Sequence, residues 1–288
     1  MLNKVVFFAL MGLMFAFYNC GDSSSEKEKD MPQKARIANE EIVEFKDSFD
    51  EKIASFWGLQ LAKSDRAMIV KDPLNSENEV LKVTVTPTDR VSGGNRSEFV
   101  IKQHDSMGYL NKYAFKFMLP EAFFKEQEKD AWFIIHQWHD EPAPGFTWAT
   151  KKDKTKPPIA LTISYSPEEG YQLYYKDGLD TGTLDEAKRL IWTEELKANV
   201  WYTFSNSVFW SLYETHGYSE PRLNGELFTP DKNAKLIEGD KIFGRNMYNA
   251  VGNYFKFGLY QASGQIHARH IYFDDFTMQS KRVSYWIE

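Results

Sequence analysis

The sequence predicts an all-β protein, a single β-jelly-roll sandwich with one concave face. Three observations lead there: short alternating apolar and polar stretches, turn signals between them, and few helical stretches or repeats. The 288 residues are 42% hydrophobic and 16% aromatic, enough to bury one large core and to exclude wholesale disorder.

From Glu41 onward the elements follow in order. Glu79-Val-Leu-Lys-Val-Thr-Val85 alternates after Val80, and Pro120 to Lys129 reads as a short helix. Ala160-Leu-Thr-Ile-Ser-Tyr165 alternates again, and Tyr171-Gln-Leu-Tyr-Tyr175 runs into the turn signal Lys176-Asp177-Gly178. Asp185 to Leu190 reads as a second short helix. Trp201-Tyr-Thr-Phe204 and Val208-Phe-Trp210 are aromatic-rich strand sequences, and Arg222-Leu-Asn-Gly-Glu-Leu227 carries the Asn-Gly of a two-residue hairpin. No second boundary appears, so residues 41–288 are expected to form one domain, a monomer.

Charge narrows the function. There are 35 Lys and Arg against 41 Asp and Glu, a net −6, and the pI is near 5.6. A general nucleic-acid binder would need a basic surface, so none is expected. A local basic cleft remains compatible with an acidic ligand.

The N-terminus reads as an address. Lys4 precedes the apolar stretch Val5 to Phe17, too short to span a membrane, and Cys20 is followed by the polar run Gly21 to Asp30. This resembles a bacterial lipoprotein signal. The resemblance implies cleavage after residue 19, lipidation of Cys20, a flexible tether over 20–40, and attachment to the outer membrane at its periplasmic or outer face. The other reading is an ordinary export signal with an incidental cysteine. Cys20 is the only cysteine, so no intramolecular disulfide staples the exported domain.

Three segments carry candidate chemistry: Asn95-Arg-Ser-Glu-Phe99, His136-Gln-Trp-His139 and Tyr254-Phe-Lys-Phe-Gly-Leu-Tyr-Gln261. In an extended strand Tyr254, Lys256, Gly258 and Tyr260 share one face, expected wet, with Phe255, Phe257 and Leu259 on the buried one. Lys256 and Tyr260 would lie about 13 Å apart, a spacing for neighbouring sugar subsites, with Gly258 leaving the floor open to a close-lying chain. Gln137 and His139 share a face ~7 Å apart, but Phe133 and Ile135 fall on that same face and blur the phase.

Arg-Ser-Glu, Gln-x-His and Tyr-Phe-Lys-x-Gly-x-Tyr, in this order, resemble the motifs of alginate-lyase-type jelly-roll polysaccharide lyases. His136 to His139, Leu223-Asn224-Gly225, Tyr254 to Gly258 and Tyr272-Phe-Asp-Asp-Phe276 resemble the heparin lyase I and glucuronan lyase-like group. The resemblance spans roughly Arg96 to Met278. It implies cleavage of a uronic-acid polymer (alginate, glucuronan or heparin-type) by β-elimination, with no cofactor in the chemistry. By match to the motifs, Arg96 and Gln137 hold the substrate carboxylate, Lys256 adds charge, and Glu98 and Tyr254 complete the binding set. The proton alpha to a charged carboxylate is weakly acidic, so donors must stabilise the developing dianion. Histidine's ordinary pKa of about 6.5 suits His139 as base, and tyrosine's of about 10 suits Tyr260 as acid. Tyr260 serves as both if the cations Arg96 and Lys256 favour its phenolate.

Competing readings are specific. His136 and His139 are an odd offset apart on a strand, as are His267 and His270, so neither pair is expected to share a metal. His136 and Trp138 are expected in the core. Asp274 is either a ligand of a structural calcium, as in related jelly rolls, or part of a solvated strand end. A retaining glycosidase would need two carboxylates about 5–5.5 Å apart, and its Glu-x-Asp-x-x-Glu motif is absent. A non-catalytic surface glycan-binding lipoprotein is the non-enzyme alternative. In the 140–158 segment, Lys151, Lys152, Lys154 and Lys156 either bind sulfates or keep a loop soluble, the second reading being preferred.

Overall fold

Alternation in the sequence becomes two antiparallel sheets facing one another across an aromatic core. The computed structural model describes residues 42–125, 128, 131–150, 156–179, 188–230 and 239–283, all within one compact unit, Asn39–Glu288. The expectations for the signal, Cys20 and the tether lie outside the described residues, as do Lys151, Lys152 and Lys154. No described helix is long and apolar enough to cross a membrane.

In chain order the strands are β1 (Ile42–Asp47), β2 (Trp57–Gln60), β3 (Ala67–Asp72), β4 (Asn75–Val85), β5 (Asn95–Asp105) and β6 (Tyr109–Met118). After the short helix α1 (Glu121–Lys125) come β7 (Trp132–Asp140), β8 (Ile159–Ser166), β9 (Gly170–Asp177), β10 (Lys188–Trp192) and β11 (Trp201–Phe209). The rest are β12 (Tyr218–Ser219), β13 (Arg222–Leu223), β14 (Glu226–Leu227), β15 (Thr229–Pro230), β16 (Ile242–Phe243), β17 (Asn253–Gln261) and β18 (Arg269–Arg282). One sheet runs β14-β13-β11-β6-β18-β4-β3, with β1 on β18, β12 on β11 and β16 on β12. The other runs β15-β10-β9-β8-β7-β17-β5-β2. Both sheets are open, as a jelly-roll sandwich requires.

One expected element changes. The second helix was read over Asp185 to Leu190, but Lys188–Trp192 is strand β10, paired with β9 and β15; 180–187 lies outside the described residues. Pairing with β9 and β15 here overrides the helix propensity of Lys188, Arg189 and Leu190. The Asn-Gly hairpin holds: Asn224 and Gly225 take φ of 52° and 84°, as the two-residue turn between β13 and β14 demands.

The core interleaves Phe255 and Phe257 of β17 with Phe115, Phe204, Phe273 and Phe276 of the facing sheet. Phe257 stacks on Phe276 at 5.6 Å and meets Phe273 edge-on at 4.7 Å, geometries that favour the aromatic quadrupole. His136 and Trp138 are fully buried here, as expected. His136 Nδ1 bonds the Lys256 carbonyl oxygen at 2.9 Å, and a carbonyl only accepts, so Nδ1 carries the proton. Nε2 then accepts at 2.9 Å from the hydroxyl of Tyr113 on β6 of the facing sheet, and Tyr113 in turn accepts from Asn206 on the neighbouring β11. This polar thread ties the sheets together beneath Lys256.

Burial holds the His136 pKa at about 3, against the opposing pull of the Lys256 carbonyl and Glu98. The unfolded chain, near 6.5, therefore binds the extra proton first, and stability falls as pH drops from about 6.5 towards 3. His136 alone should remove about 2 kcal/mol at pH 5 relative to pH 7. Urea unfolding at both pH values checks this: the drop should shrink in His136→Gln, and an equal drop in both proteins would refute it.

Candidate active site

The strand order β7-β17-β5 places the three sequence segments side by side in one sheet, with only β2 beyond β5. Cross-strand register sets Lys256 opposite Gln137, Tyr254 opposite His139, Gly258 opposite Glu98 and Tyr260 opposite Arg96. Residues directly opposite across a ladder share a face, so these side chains form one row on the side away from the core. The blurred phase of β7 resolves at a bulge between Ile134 and His136. The extra residue lets Phe133, Ile135, His136 and Trp138 all face the core while Gln137 and His139 join the row.

At the centre stands Glu98, buried, with its two carboxylate oxygens shared among three donors. Arg96 Nη1 donates to Oε2 at 3.0 Å, Lys256 Nζ donates to the same oxygen, and Gln137 Nε2 donates to Oε1. Burial by itself would raise the Glu98 pKa, but Lys256 and Arg96 outweigh it and hold the carboxyl below its usual range. Burial lowers the Lys256 pKa, with Glu98 opposing. The wet face expected along β17 is therefore dry at its middle: Lys256 is 1% exposed and its ammonium lies on Glu98. Two cations against one buried anion leave this patch with a net positive charge.

Tyr260 lies at one end, with the Arg96 guanidinium 3.9 Å from its ring centroid and Trp132 edge-on at 5.1 Å. A Cβ on Gly94 would lie 2.6 Å from Arg96 Nη2 and 2.9 Å from the Tyr260 ring, so this bare glycine is what lets the pair pack down. His139 lies at the other end. Its Nδ1 is 3.1 Å from both the carbonyl and the carboxylate of buried Asp140. Both are acceptors, so Nδ1–H donates and Nε2 is left as the base-like nitrogen. Tyr254 stacks on the His139 ring at 6.0 Å, and burial, reinforced by Glu141 and Glu98, raises its phenol pKa.

Gly258 takes a role different from the open floor expected of it. Its φ is +141°, and a Cβ there would lie 2.3 Å from the Ser97 carbonyl oxygen. The missing side chain admits β5, the neighbouring strand, rather than a ligand. Gly258→Ala should cost roughly 3 kcal/mol from backbone strain plus collision. A urea midpoint giving less than about 1 kcal/mol would contradict this close approach.

Asp274 belongs to the other sheet. Asn78 Nδ2 and the Asp275 N–H engage its oxygens at 3.2 and 2.8 Å, and burial raises its pKa. Among the described residues no group of three His, Cys, Asp or Glu could hold a metal. Asp140, Gly94, Trp132 and Trp148 were not legible in sequence. Asp140 directly follows His139, an offset that on a regular strand points to the opposite face.

Residues 50–277 match the family model for polysaccharide lyases. The chain belongs to the polysaccharide lyase family. Membership makes this lyase an enzyme acting on a polysaccharide and sets aside the purely binding module. Among solved structures the lyase is similar to an endo-β-1,4-glucuronan lyase from the fungus Trichoderma reesei, with 17% identity and a TM-score of 0.55. That match covers 78% of this chain and 94% of the other. It is also similar to the family 7 alginate lyase A1-II′ solved with a substrate, at 14% identity and a TM-score of 0.52, covering 81% and 95% of the two chains. At these identities the likeness is one of fold. No curated protein sequence matches the chain.

Proposed function

We propose that this lyase cleaves a uronic-acid-containing polysaccharide by β-elimination, with the β5–β17–β7 row as its active site. One observation carries the reading: a net-positive cluster of Arg96, Lys256 and Gln137 around Glu98, flanked by the His139 imidazole and the Tyr260 phenol. The cluster suits a uronate carboxylate whose charge grows as the neighbouring proton leaves. Arg96, the more exposed cation, meets the carboxylate with Gln137 beside it. Lys256, held by Glu98, acts from behind as fixed charge. Glu98 positions all three, and Tyr254 packs against His139.

The step balances without water. The proton alpha to the carboxylate goes to the base, its electron pair forms the ring double bond, and the glycosidic oxygen departs with a proton from the acid. Where proton and leaving oxygen lie on opposite faces of the sugar, His139 Nε2 takes the proton and Tyr260 supplies one. Where they share a face, Tyr260 does both and His139 binds. The steps use side chains alone; a calcium at Asp274 would be structural. In the same reading Cys20 carries lipid and holds the monomeric enzyme at a bacterial outer membrane.

Mass spectrometry of products from alginate, glucuronan and heparin tests this. Elimination gives fragments whose masses sum to that of the parent. Fragments heavier in sum by one water would mean hydrolysis and end the proposal.

A further inference from the structure

Trp148 belongs to neither the three motifs nor the core. Its side chain is 49% exposed, on the segment that follows β7, and its indole stands edge-to-face on the His139 ring at 5.2 Å. Tyr254 stacks on the same imidazole and Asp140 holds its Nδ1. Trp148 therefore extends the row beyond His139 with a large apolar surface open to solvent. A lone exposed aromatic on a loop tip is ordinary, but one seated on a candidate catalytic imidazole is positioned by the site.

The turn that carries it is fastened. Thr150 N–H bonds the Thr147 carbonyl at 3.1 Å, Thr147 N–H bonds Thr150 Oγ1 at 2.8 Å, and the two hydroxyls bond each other at 3.0 Å. Trp148 sits inside that closed turn, so its backbone is ordered before any ligand arrives, which lowers the entropy cost of binding. Phe146, on the same loop and 52% exposed, is not among the rings stacked on His139.

We infer that Trp148 forms a sugar-stacking subsite, taking the apolar C–H face of the pyranose ring next to the one at His139. This rests on reading the row as a uronan-cleaving site and adds where the polymer lies: it continues past His139, over the 140–150 loop. A flat, rigid indole presents its face to a ring whose hydroxyls and carboxylate point outward at the edge. The occupant is one ring of the same polymer, because Trp148 touches a residue of the row itself.

Steady-state kinetics of the full chain, on whichever uronan the wild type cleaves, provide the test. Trp148→Ala should raise KM about tenfold, the size of one aromatic contact, with kcat within about twofold. Trp148→Phe should recover most of the loss, and Phe146→Ala should leave KM unchanged. An unchanged KM in Trp148→Ala, or an equal rise in Phe146→Ala, would overturn the subsite while wild-type turnover keeps the lyase reading. A fall in kcat alone would also overturn it, since Trp148 would then act by orienting His139. Wild-type protein that cleaves no uronan would overturn both.

Discussion

Replacing Glu98 with alanine should cost about 3–5 kcal/mol of folding stability and abolish turnover. The cause is local: Lys256, 1% exposed, loses the carboxylate that receives its ammonium, and Arg96 and Gln137 lose the same acceptor. A buried cation stripped of its partner is far costlier than the pair is favourable. Glu98→Gln keeps the shape and one acceptor oxygen but leaves both cations unbalanced, so it should rescue only part of the loss. Adding Lys256→Met to Glu98→Gln removes the stranded ammonium and should restore stability without restoring activity. Urea unfolding measures all three. A Glu98→Ala protein within about 1 kcal/mol of wild type would show that the cluster is solvated rather than dry.

Tyr260→Phe should do the reverse, sparing the fold and removing the chemistry. The ring contacts with Arg96 at 3.9 Å and Trp132 at 5.1 Å survive, because neither uses the hydroxyl. Loss of the proton donor should lower kcat by about 10²–10⁴-fold, the usual worth of a general acid. His139→Ala then separates the two proton routes. An equal loss means that base and acid are different groups, whereas a loss confined to KM means that Tyr260 does both. Tyr260→Phe retaining more than about a tenth of wild-type turnover would remove Tyr260 from the mechanism.

Much of this was legible because strand periodicity is a strong constraint. The alternation of Tyr254 to Tyr260 against Phe255 to Leu259 correctly separated the row from the core. The odd offset between His136 and His139 correctly put them on opposite faces, His136 in the core and His139 in the row. Periodicity misled where the backbone departs from a regular strand. The bulge near Ile135 was invisible in the sequence, so β7 looked out of phase. The strand β10 was hidden because Lys188, Arg189 and Leu190 favour helix in isolation while β9 and β15 supply the partners. Face assignment also says nothing of depth: Lys256 was on the right face yet sealed under Glu98 and its neighbours. Contacts made by loops, such as Trp148 on His139 and Arg96 over Gly94, follow no period at all.

The central claim is β-elimination of a uronan, and ultraviolet absorbance tests it most directly. Purified protein lacking residues 1–40 would be mixed with alginate, glucuronan, heparin and other uronans, and absorbance of the unsaturated uronate followed over time. Rising absorbance on at least one polymer, lost in Tyr260→Phe, is the predicted result. A flat trace on every uronan, from protein whose unfolding shows it to be folded, would contradict the account.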